Sequence, residues 1–230
     1  MIVNERLTSY LHSLDRGNGE LLDRIEAEAV RDFVPIIRKE TGALLKTLVA
    51  LKQPRAILEV GTAVGYSALL MGRAMPAGCH LTTIEKYEKR LPIARENFRR
   101  AGMEDRITLL EGDAEEILAG LTGTWDFIFM DAAKGQYIHW LPDVLRLMKE
   151  GSVLVSDNVL QEGDIIESHY LVERRNRTIY KRMREYLWQL THSPVLRTSV
   201  LPLGDGAAVS VKTGEQVYET TRTIGSGEQP

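Results

Sequence analysis

The sequence predicts an α/β fold, in which helices cover both faces of an open and mostly parallel sheet. Short apolar runs alternate with helical segments between residues 55 and 156, as strands alternate with crossover helices in such sheets. Gly61 and Gly65 form a glycine-spaced turn after the first run, where a nucleotide-binding crevice begins in this class of fold. Acidic residues lie at or just after the ends of the successive runs.

The composition is typical of one globular domain. The chain has 230 residues, 43% of them hydrophobic and 27% charged, which is enough for a substantial core. The net charge of −3 shows no general basic character, so any nucleic-acid surface would have to be local. Cys79 is the only cysteine. With no recognisable signal or apolar span in the sequence, we expect a cytoplasmic protein.

Residues 1–52 are predicted to form a helical part ahead of the sheet. Apolar residues at helical spacing predict helices at 4–14 and 19–51. Pro35 suits a helix start, because its missing N–H would be unpaired there. This part can pack against the sheet, cover a ligand or form a dimer surface.

The remaining elements follow in order along the chain. Strands are predicted at 55–60, 79–85, 106–111, 125–130 and 151–156, with helices at 65–75, 87–101, 114–120 and 136–148. A polar loop at 157–168 leads to a long helix at 169–191. Strands at 196–202 and 207–212 are close enough in sequence to form an antiparallel hairpin. We expect one domain over 1–212 and a flexible tail at 213–230.

The first three strand ends predict a site for a nucleoside. Gly61 lets the backbone turn tightly beside a ligand, because it lacks a Cβ, although Ala63 replaces the middle glycine of the G-x-G-x-x-G pattern. Glu85 lies 20 residues after Gly65, where a carboxylate can accept both ribose hydroxyls. Asp113 follows the third strand and can bind an adenine amino group. For any one of these acids, a helix cap is the alternative interpretation.

The fourth and fifth strand ends predict a cation site. Asp131 follows strand four, and Asp157 and Asn158 follow strand five. Carboxylate and amide oxygens suit Mg²⁺ better than zinc, and the five histidines show no zinc-binding spacing. Lys134 comes three residues after Asp131. A nearby divalent cation favours neutral lysine, which could then act as a general base; a solvated loop cation is the alternative.

The predicted helix at 169–191 carries a basic stripe. Spacings of 3, 4 and 3 place four basic residues on one face, Arg174, Arg177, Lys181 and Arg184, and Arg175 and Arg182 add positive charge. The residues expected on its buried side are Ile179, Met183, Tyr186 and Leu190. A stripe of one sign favours a polyanion such as RNA, whereas the alternative is a solvated helix face.

Together these motifs resemble the class I S-adenosylmethionine-dependent O-methyltransferases of the metal-dependent catechol and caffeoyl-CoA type. The segments that carry the resemblance are 59–67, Glu85, 112–114, 131–137 and 156–160. The resemblance covers about residues 30–212 and implies a Rossmann-like sheet of seven strands that ends in the hairpin. Within the family, residues 34–37, 204–206 and the arginine-rich stretch after residue 172 resemble the branch that methylates 5-hydroxyuridine in bacterial tRNA.

The resemblance also implies roles for individual residues. The implied contacts of S-adenosylmethionine are Ile37, Glu59, Gly61, Ser67, Glu85, Asp113, Ala114 and Asp131. The implied ligands of Mg²⁺ or Mn²⁺ are Asp131, Asp157 and Asn158. Asp131 and Lys134 are the implied catalytic residues, with Lys134 as the base. The family also favours a homodimer.

The expected activity is methylation of the 5-hydroxyl of 5-hydroxyuridine at the wobble position of tRNA, giving 5-methoxyuridine. A cation that chelates two adjacent oxygens orients a hydroxyl and makes it more acidic. Both 5-hydroxyuridine and catechols offer such a pair, so a small catechol or a caffeoyl-CoA-like substrate is the alternative. The basic stripe and the resemblance to the tRNA-modifying branch favour tRNA. A non-catalytic nucleotide- or RNA-binding module and an NAD-dependent dehydrogenase are further alternatives. The predicted cation site argues against the former and the missing glycine against the latter.

Overall fold

The computed structural model describes residues 4–168 and 170–214 of the chain. Three helices precede the sheet: α1 (Glu5–Ser13), α2 (Glu20–Arg31) and α3 (Lys39–Lys52). The single helical stretch predicted at 19–51 was therefore wrong, as was a helix start at Pro35. The chain leaves α2 through Phe33, which has a φ of +54°, and Val34 precedes a proline, which disfavours helical backbone.

Seven strands follow, separated by helices. The strands are β1 (Ala56–Val60), β2 (His80–Glu85), β3 (Ile107–Glu111), β4 (Trp125–Met130), β5 (Met148–Asp157), β6 (Leu196–Leu201) and β7 (Ala207–Lys212). They form one sheet in the order β3-β2-β1-β4-β5-β7-β6. Strands β1 to β5 pair in parallel, and β7 is antiparallel to both β5 and β6. The predicted fold class is confirmed.

The helices between and after these strands are α4 (Tyr66–Ala74), α5 (Leu91–Arg100), α6 (Ala114–Gly120), α7 (Tyr137–Leu147) and α8 (Arg177–His192). Short 3-10 turns lie at Lys134–Gln136 and Gln161–Ile166. Helix α8 begins at Arg177 and not at residue 169, so Arg174 and Arg175 precede it. Within the described ranges, we find no helix with both the length and the apolar character needed to cross a membrane.

The sheet has a hydrophobic core on each face, because neighbouring strand residues point to opposite sides. Ile57 and Phe127 belong to the core that also contains buried side chains of α2, α3, α4 and α5. Leu58 and Ile128 belong to the other core, under α6, α7 and α8. Helices α2 and α3 of the N-terminal part therefore pack into the core, whereas α1 contributes no buried residue.

The parallel register brings the carboxyl ends of the strands to one edge. Val60 is paired with Ile84 of β2 and with Met130 of β4, and Met130 is paired with Ser156 of β5. The residues that follow these strands therefore lie at the same level of the sheet. This edge is where open α/β sheets bind their ligands.

Candidate active site

A cavity of about 570 Å³ opens at the carboxyl edge of the sheet, a volume in the range typical of small-molecule sites. Seven of the eight predicted cofactor contacts line it: Ile37, Gly61, Ser67, Glu85, Asp113, Ala114 and Asp131. Lys134 and Asn158 also line the cavity. The fold therefore brings most of the predicted site into one space.

Glycine is required at position 61, where the chain turns beside the cavity after β1. The φ of Gly61 is +94°, and a Cβ at this position would overlap the backbone carbonyl of Asp131. Ala63 also has a positive φ, of 49°, a conformation that costs energy for a residue with a side chain. Its N–H donates to Glu85 Oε2 at 2.8 Å, which helps to hold the turn where the usual pattern has glycine.

Glu85 is held firmly at the end of β2. Besides the Ala63 N–H, it accepts hydrogen bonds from the backbone N–H groups of Lys86 and Tyr87, at 2.9 and 2.8 Å, on Oε1. The side chain is nearly buried but lines the cavity. Because each carboxylate oxygen can accept more than one hydrogen bond, Glu85 retains capacity to accept ligand hydroxyls.

Asp113 acts as the cap of α6, so the alternative interpretation as a helix cap holds for this residue. Its side chain accepts from Glu115 N at 2.9 Å and from Lys86 Nζ at 3.1 Å. These hydrogen bonds lower the pKa of the Asp113 carboxyl, with the Glu115 N–H contributing most. Asp113 also lines the cavity, so capping does not remove it from a ligand site.

Glu59 is the predicted contact that the structure does not bring to the cavity. It is fully buried in β1 and does not line the cavity. Thr83 Oγ1 donates to Glu59 Oε2, and Oε1 has no hydrogen-bond partner among the described residues. Burial raises the pKa of the Glu59 carboxyl.

Aromatic residues of the cavity were missed by the sequence analysis. Tyr87 lines it beside Arg90, whose guanidinium lies 5.1 Å from the centre of the tyrosine ring. Tyr66 lines the wall and donates its hydroxyl to Glu26 of α2, at 2.8 Å. Trp140 also lines the cavity, and its buried Nε1 has no partner in the part of the chain that is described. Aromatic residues at helical spacing resemble core residues in sequence, so no signal distinguished Trp140.

Asp131 and Asn158 line one end of the cavity, and Asp157 adjoins Asn158 without lining it. Asn158 Nδ2 donates to Asp131 Oδ1 at 3.0 Å, and the Asn158 N–H donates to Asp157 Oδ1 at 2.8 Å. Asn158 has a φ of 61°, a left-handed conformation that asparagine tolerates better than most residues. This turn directs its amide toward Asp131.

The electrostatics of this end suit a cation. Burial is the main cause that raises the pKa of Asp131 to about 6, and the charge of Glu59 adds to it. Burial also raises the pKa of Asp157 to about 7, and the charge of Asp131 adds to it. The charge of Asp131 therefore disfavours the charged form of Asp157, and a divalent cation between them would remove this penalty.

The donors at this end are oxygen atoms of two carboxyls and one amide, a set that fits Mg²⁺ or Mn²⁺. In residues 4–168 and 170–214, no group of three or more His, Cys, Asp or Glu side chains could hold a metal ion. A cation here would thus depend on the Asn158 amide and on further oxygens from water or substrate.

Lys134 lies beside this set and is paired with Asp205, an acid to which the sequence analysis gave no role in the site. Its Nζ donates to Asp205 Oδ2 at 2.9 Å. Asp205 comes from the turn between β6 and β7, far from Lys134 in sequence. Only the antiparallel return of β7 beside β5 brings the two residues together.

The basic residues predicted to bind RNA do not form a single stripe. Arg177 donates to the Val172 carbonyl at 3.1 Å, Arg182 to the Gly135 carbonyl at 3.0 Å, and Arg184 to the Ile165 carbonyl at 2.9 Å. These three side chains therefore hold loops of the same chain. Arg174 and Arg175 lie outside α8, while Lys181 is exposed on it.

The buried side of α8 is formed by Tyr180, Met183, Tyr186 and Leu190. The expectation for Ile179 was wrong, because Ile179 is only partly buried and Tyr180 lies in the core instead. The later start of the helix does not change this face, which follows the helical repeat.

Comparison with known proteins agrees with this architecture. A sequence model described as O-methyltransferase matches residues 12–213. Catechol O-methyltransferase of Niastella koreensis is 36% identical over 132 residues, which are 56% of this chain and 60% of that protein. Caffeoyl-CoA O-methyltransferase 2 of Populus trichocarpa is 29% identical over 181 residues, which are 73% of this chain and 70% of that protein. The alignments span about 60% of the length of the catechol O-methyltransferases from Niastella koreensis and Danio rerio.

Solved structures show the same fold. An O-methyltransferase from Bacillus cereus, in complex with SAH, has a TM-score of 0.80 at 26% identity, over 90% of this chain and 97% of that chain. TomG from Streptomyces achromogenes, in complex with SAM, has a TM-score of 0.80 at 26% identity, over 93% of this chain and 100% of that chain. With the family match over most of its length, this chain belongs to the O-methyltransferase family.

Proposed function

We propose that the protein transfers a methyl group from S-adenosylmethionine to a hydroxyl that has a second oxygen on the adjacent atom. The observation that carries this proposal is that Asn158 is hydrogen-bonded to both Asp131 and Asp157, and that Asn158 and Asp131 line one end of a cavity whose walls include Glu85 and Asp113. Family membership supports methyl transfer, and the neighbours bound to SAM and SAH support the methyl donor.

The walls of the cavity suit the methyl donor. Glu85 would accept the two ribose hydroxyls, and Asp113 would accept a hydrogen bond from the adenine amino group. Gly61 lets the backbone approach the ligand because it has no Cβ. Trp140 and Tyr87 add apolar surface that excludes water. Glu59 has no direct contact in this proposal, because it does not line the cavity.

The end of the cavity that is lined by Asp131, Lys134 and Asn158, which we call the acceptor end, suits activation of a hydroxyl. A divalent cation, when bound by Asp131, Asp157 and Asn158, supplies a Lewis acid that lowers the pKa of a substrate hydroxyl. Lys134, in its neutral amine form, accepts the hydroxyl proton as the substrate oxygen bonds to the methyl carbon. The carbon–sulfur bond breaks in the same displacement, and its electron pair stays on sulfur. The contribution of the remaining side chains is alignment of the reacting atoms.

For the acceptor we propose a small molecule with two vicinal oxygens, such as a catechol or a caffeoyl-CoA-like phenol. The relatives named above are catechol and caffeoyl-CoA O-methyltransferases, which favours this class over tRNA. The internal use of Arg177, Arg182 and Arg184 also weakens the argument for RNA. The 5-hydroxyuridine of tRNA is the second candidate, favoured by the exposed side chains of Arg174, Arg175 and Lys181.

The test is methyl transfer from labelled S-adenosylmethionine by the purified protein. A catechol and a phenol with a single hydroxyl form the matched pair of acceptors, and tRNA carrying 5-hydroxyuridine is the third. We expect methylation of the catechol alone, loss of activity with EDTA and recovery with Mg²⁺. Methylation of the tRNA alone would favour the second candidate. Equal turnover of the single phenol, or turnover in EDTA, would contradict the cation site.

A further inference from the structure

The turn between β6 and β7 brings a buried carboxylate to the acceptor end of the cavity. Asp205 lies in this turn and is only 3% exposed. The turn is closed by a hydrogen bond of 2.7 Å from the Gly206 N–H to the Leu203 carbonyl. Because β7 is paired with β5, with Ala207 opposite Asp157, the turn projects from the sheet beside the proposed cation ligands.

Asp205 connects three segments of this end. One carboxylate oxygen, Oδ2, accepts from Lys134 Nζ at 2.9 Å. The other, Oδ1, accepts from the backbone N–H of Glu162, and the Asp205 carbonyl accepts from the Leu160 N–H at 2.9 Å. The carboxylate is thus immobilised on the segment that follows Asn158, and its other oxygen faces Lys134.

Gly206 permits this close arrangement. Its φ is +87°, and a Cβ here would overlap the side chain of Leu160. Its carbonyl accepts from the Val159 N–H at 3.0 Å. The turn can therefore lie directly against the segment that carries Asn158 only because residue 206 has no side chain.

A lysine side chain needs a fixed partner, such as the Asp205 carboxylate, to hold its amino group at one position. Its flexible four-carbon stem can adopt many rotamers, and Asp131, three residues earlier, is an acid to which Lys134 could turn. A fixed carboxylate outside the proposed ligand set holds the amino group away from Asp131 and leaves both ligand acids available.

From this geometry we infer that Asp205 is a positioning residue, which aims Lys134 at the substrate hydroxyl and keeps it from pairing with Asp131. This inference rests on the proposed function. It gives the hairpin a role in the reaction, through Lys134, beyond completing the sheet.

A purely structural role is the alternative, and the chain contains a matched control for it. Asp126 is also nearly buried and pairs with a lysine, Lys149, at 2.6 Å. It likewise accepts from backbone N–H groups, those of Arg55 and Ala56, at 2.8 and 3.1 Å. Asp126 lies at the start of β4 and does not line the cavity.

The experiment compares Asp205→Asn, Lys134→Ala, the double variant and Asp126→Asn. Asp205→Asn should lower kcat by about 100-fold, the loss that a misplacement of about 1 Å can cause, with the affinity for S-adenosylmethionine unchanged. The double variant should be no slower than Lys134→Ala, because effects of residues that act as a unit do not add. Asp126→Asn should lower thermal stability and leave kcat unchanged.

A second readout needs no turnover. Titration of Mg²⁺ alone, by calorimetry, should show an affinity about 10-fold lower in Asp205→Asn, in line with other residues that orient metal ligands. The affinity should return in the double variant, which has no lysine to compete. If Asp205→Asn fails to fold, Asp205→Glu keeps the charge but moves it, and full kcat in that variant would overturn the inference.

The inference would also be overturned if the fold losses of kcat in Asp205→Asn and Lys134→Ala multiplied in the double variant. An equal loss of kcat in Asp126→Asn would overturn it as well. Failure of the proposed function looks different, because it appears in the unaltered protein as absence of methyl transfer. If the unaltered protein shows Mg²⁺-dependent turnover but the effects of the two substitutions on kcat are independent, only the role of Asp205 is rejected.

Discussion

At the scale of single residues, Glu85 shows how the backbone prepares a side chain for a ligand. Three N–H groups fix its carboxylate, and these belong to Ala63 on one loop and to Lys86 and Tyr87 on the next. The carboxylate therefore needs no reorganisation when a ligand arrives. Such preorganisation strengthens binding by reducing its entropic cost.

Replacing Glu85 by glutamine should weaken the binding of S-adenosylmethionine by about 10- to 100-fold, since hydrogen bonds to a charged group contribute about 1.5–3 kcal/mol. The amide introduced by Glu85→Gln would also place a donor where an N–H or a ribose hydroxyl requires an acceptor. Calorimetric titration measures the change. Glu96→Gln, on the exposed ion pair with Arg99, is the control, and an equal loss in both variants would remove Glu85 from the site.

At the scale of elements, hydrogen bonds from α8 hold the loop that carries Lys134 in place. Arg182 donates to the carbonyl of Gly135 at 3.0 Å, next to Lys134 in the 3-10 turn. Arg184 donates to the carbonyl of Ile165, which belongs to the loop after β5. The helix therefore supports two of the loops around the acceptor end, a use that differs from the RNA contact predicted for it.

Arg182→Ala should lower kcat roughly 10-fold, a smaller effect than the roughly 100-fold that a full misplacement of a catalytic group can cause. The affinity for S-adenosylmethionine should be unchanged. Lys181→Ala is the neighbouring control, because Lys181 is exposed and should not affect turnover of a small catechol. If Lys181→Ala instead abolished turnover of tRNA while Arg182→Ala did not, the helix would be an RNA surface after all.

At the amino ends of the strands, Asp126 links β4 to the start of β1 through Arg55 N and Ala56 N, and to β5 through Lys149. Burial opposes its ionisation, but the hydrogen bonds from Lys149, Arg55 N and Ala56 N together outweigh burial and lower the pKa of the Asp126 carboxyl. A carboxyl with a lowered folded pKa stabilises the protein above its unfolded pKa of about 3.9. That stability is lost as the pH falls through the folded pKa.

Asp126→Asn should therefore lower the free energy of unfolding by about 1–3 kcal/mol at pH 7. Urea denaturation over a series of pH values measures the difference between the variant and the unaltered protein. The difference should be constant near neutrality and should shrink below about pH 4. A difference that grew as the pH fell would mean that the pKa of Asp126 is raised and not lowered.

At the scale of the whole molecule, ligand binding and stability are linked, because a ligand that binds only the folded state stabilises it. At about 100 times its Kd, a ligand contributes about 2.7 kcal/mol, which raises Tm by roughly 5–10 °C for a chain of this size. The proposed function therefore predicts that S-adenosylmethionine and Mg²⁺ each raise Tm.

Asp157→Ala separates the two ligands. This variant should lose turnover and the Mg²⁺-dependent rise in Tm, because one proposed cation ligand is gone. It should keep the rise caused by S-adenosylmethionine, since Asp157 does not line the cavity. Scanning fluorimetry measures both shifts, and loss of both rises together would argue against a specific role in cation binding.

Several expectations about the whole molecule stay predictions. The homodimer and the cytoplasmic location are among them. The flexible tail was predicted at 213–230, and residues 215–230 lie outside the described part of the chain. The single domain over 1–212 is likewise an expectation, although one sheet runs through the described part from β1 to β7.

Local patterns in the sequence determined the fold class and several polar residues of the cavity wall. Apolar runs and glycine turns depend on neighbouring residues, so the strand positions and Gly61, Glu85, Asp113 and Asp131 could be predicted. The alternation of strands and helices placed their ends at one edge. The boundaries failed where local signals were weak, as in the break between α2 and α3 and the start of α8.

Contacts between distant segments were decided only by the tertiary structure. The pairing of β7 with β5 brings Asp205 to Lys134, and the packing of α8 turns Arg182 to Gly135. The burial of Glu59 beneath the site depends on the layers on both faces of the sheet. Sequence spacing does not encode such contacts, because they depend on the summed geometry of all the elements between the two residues.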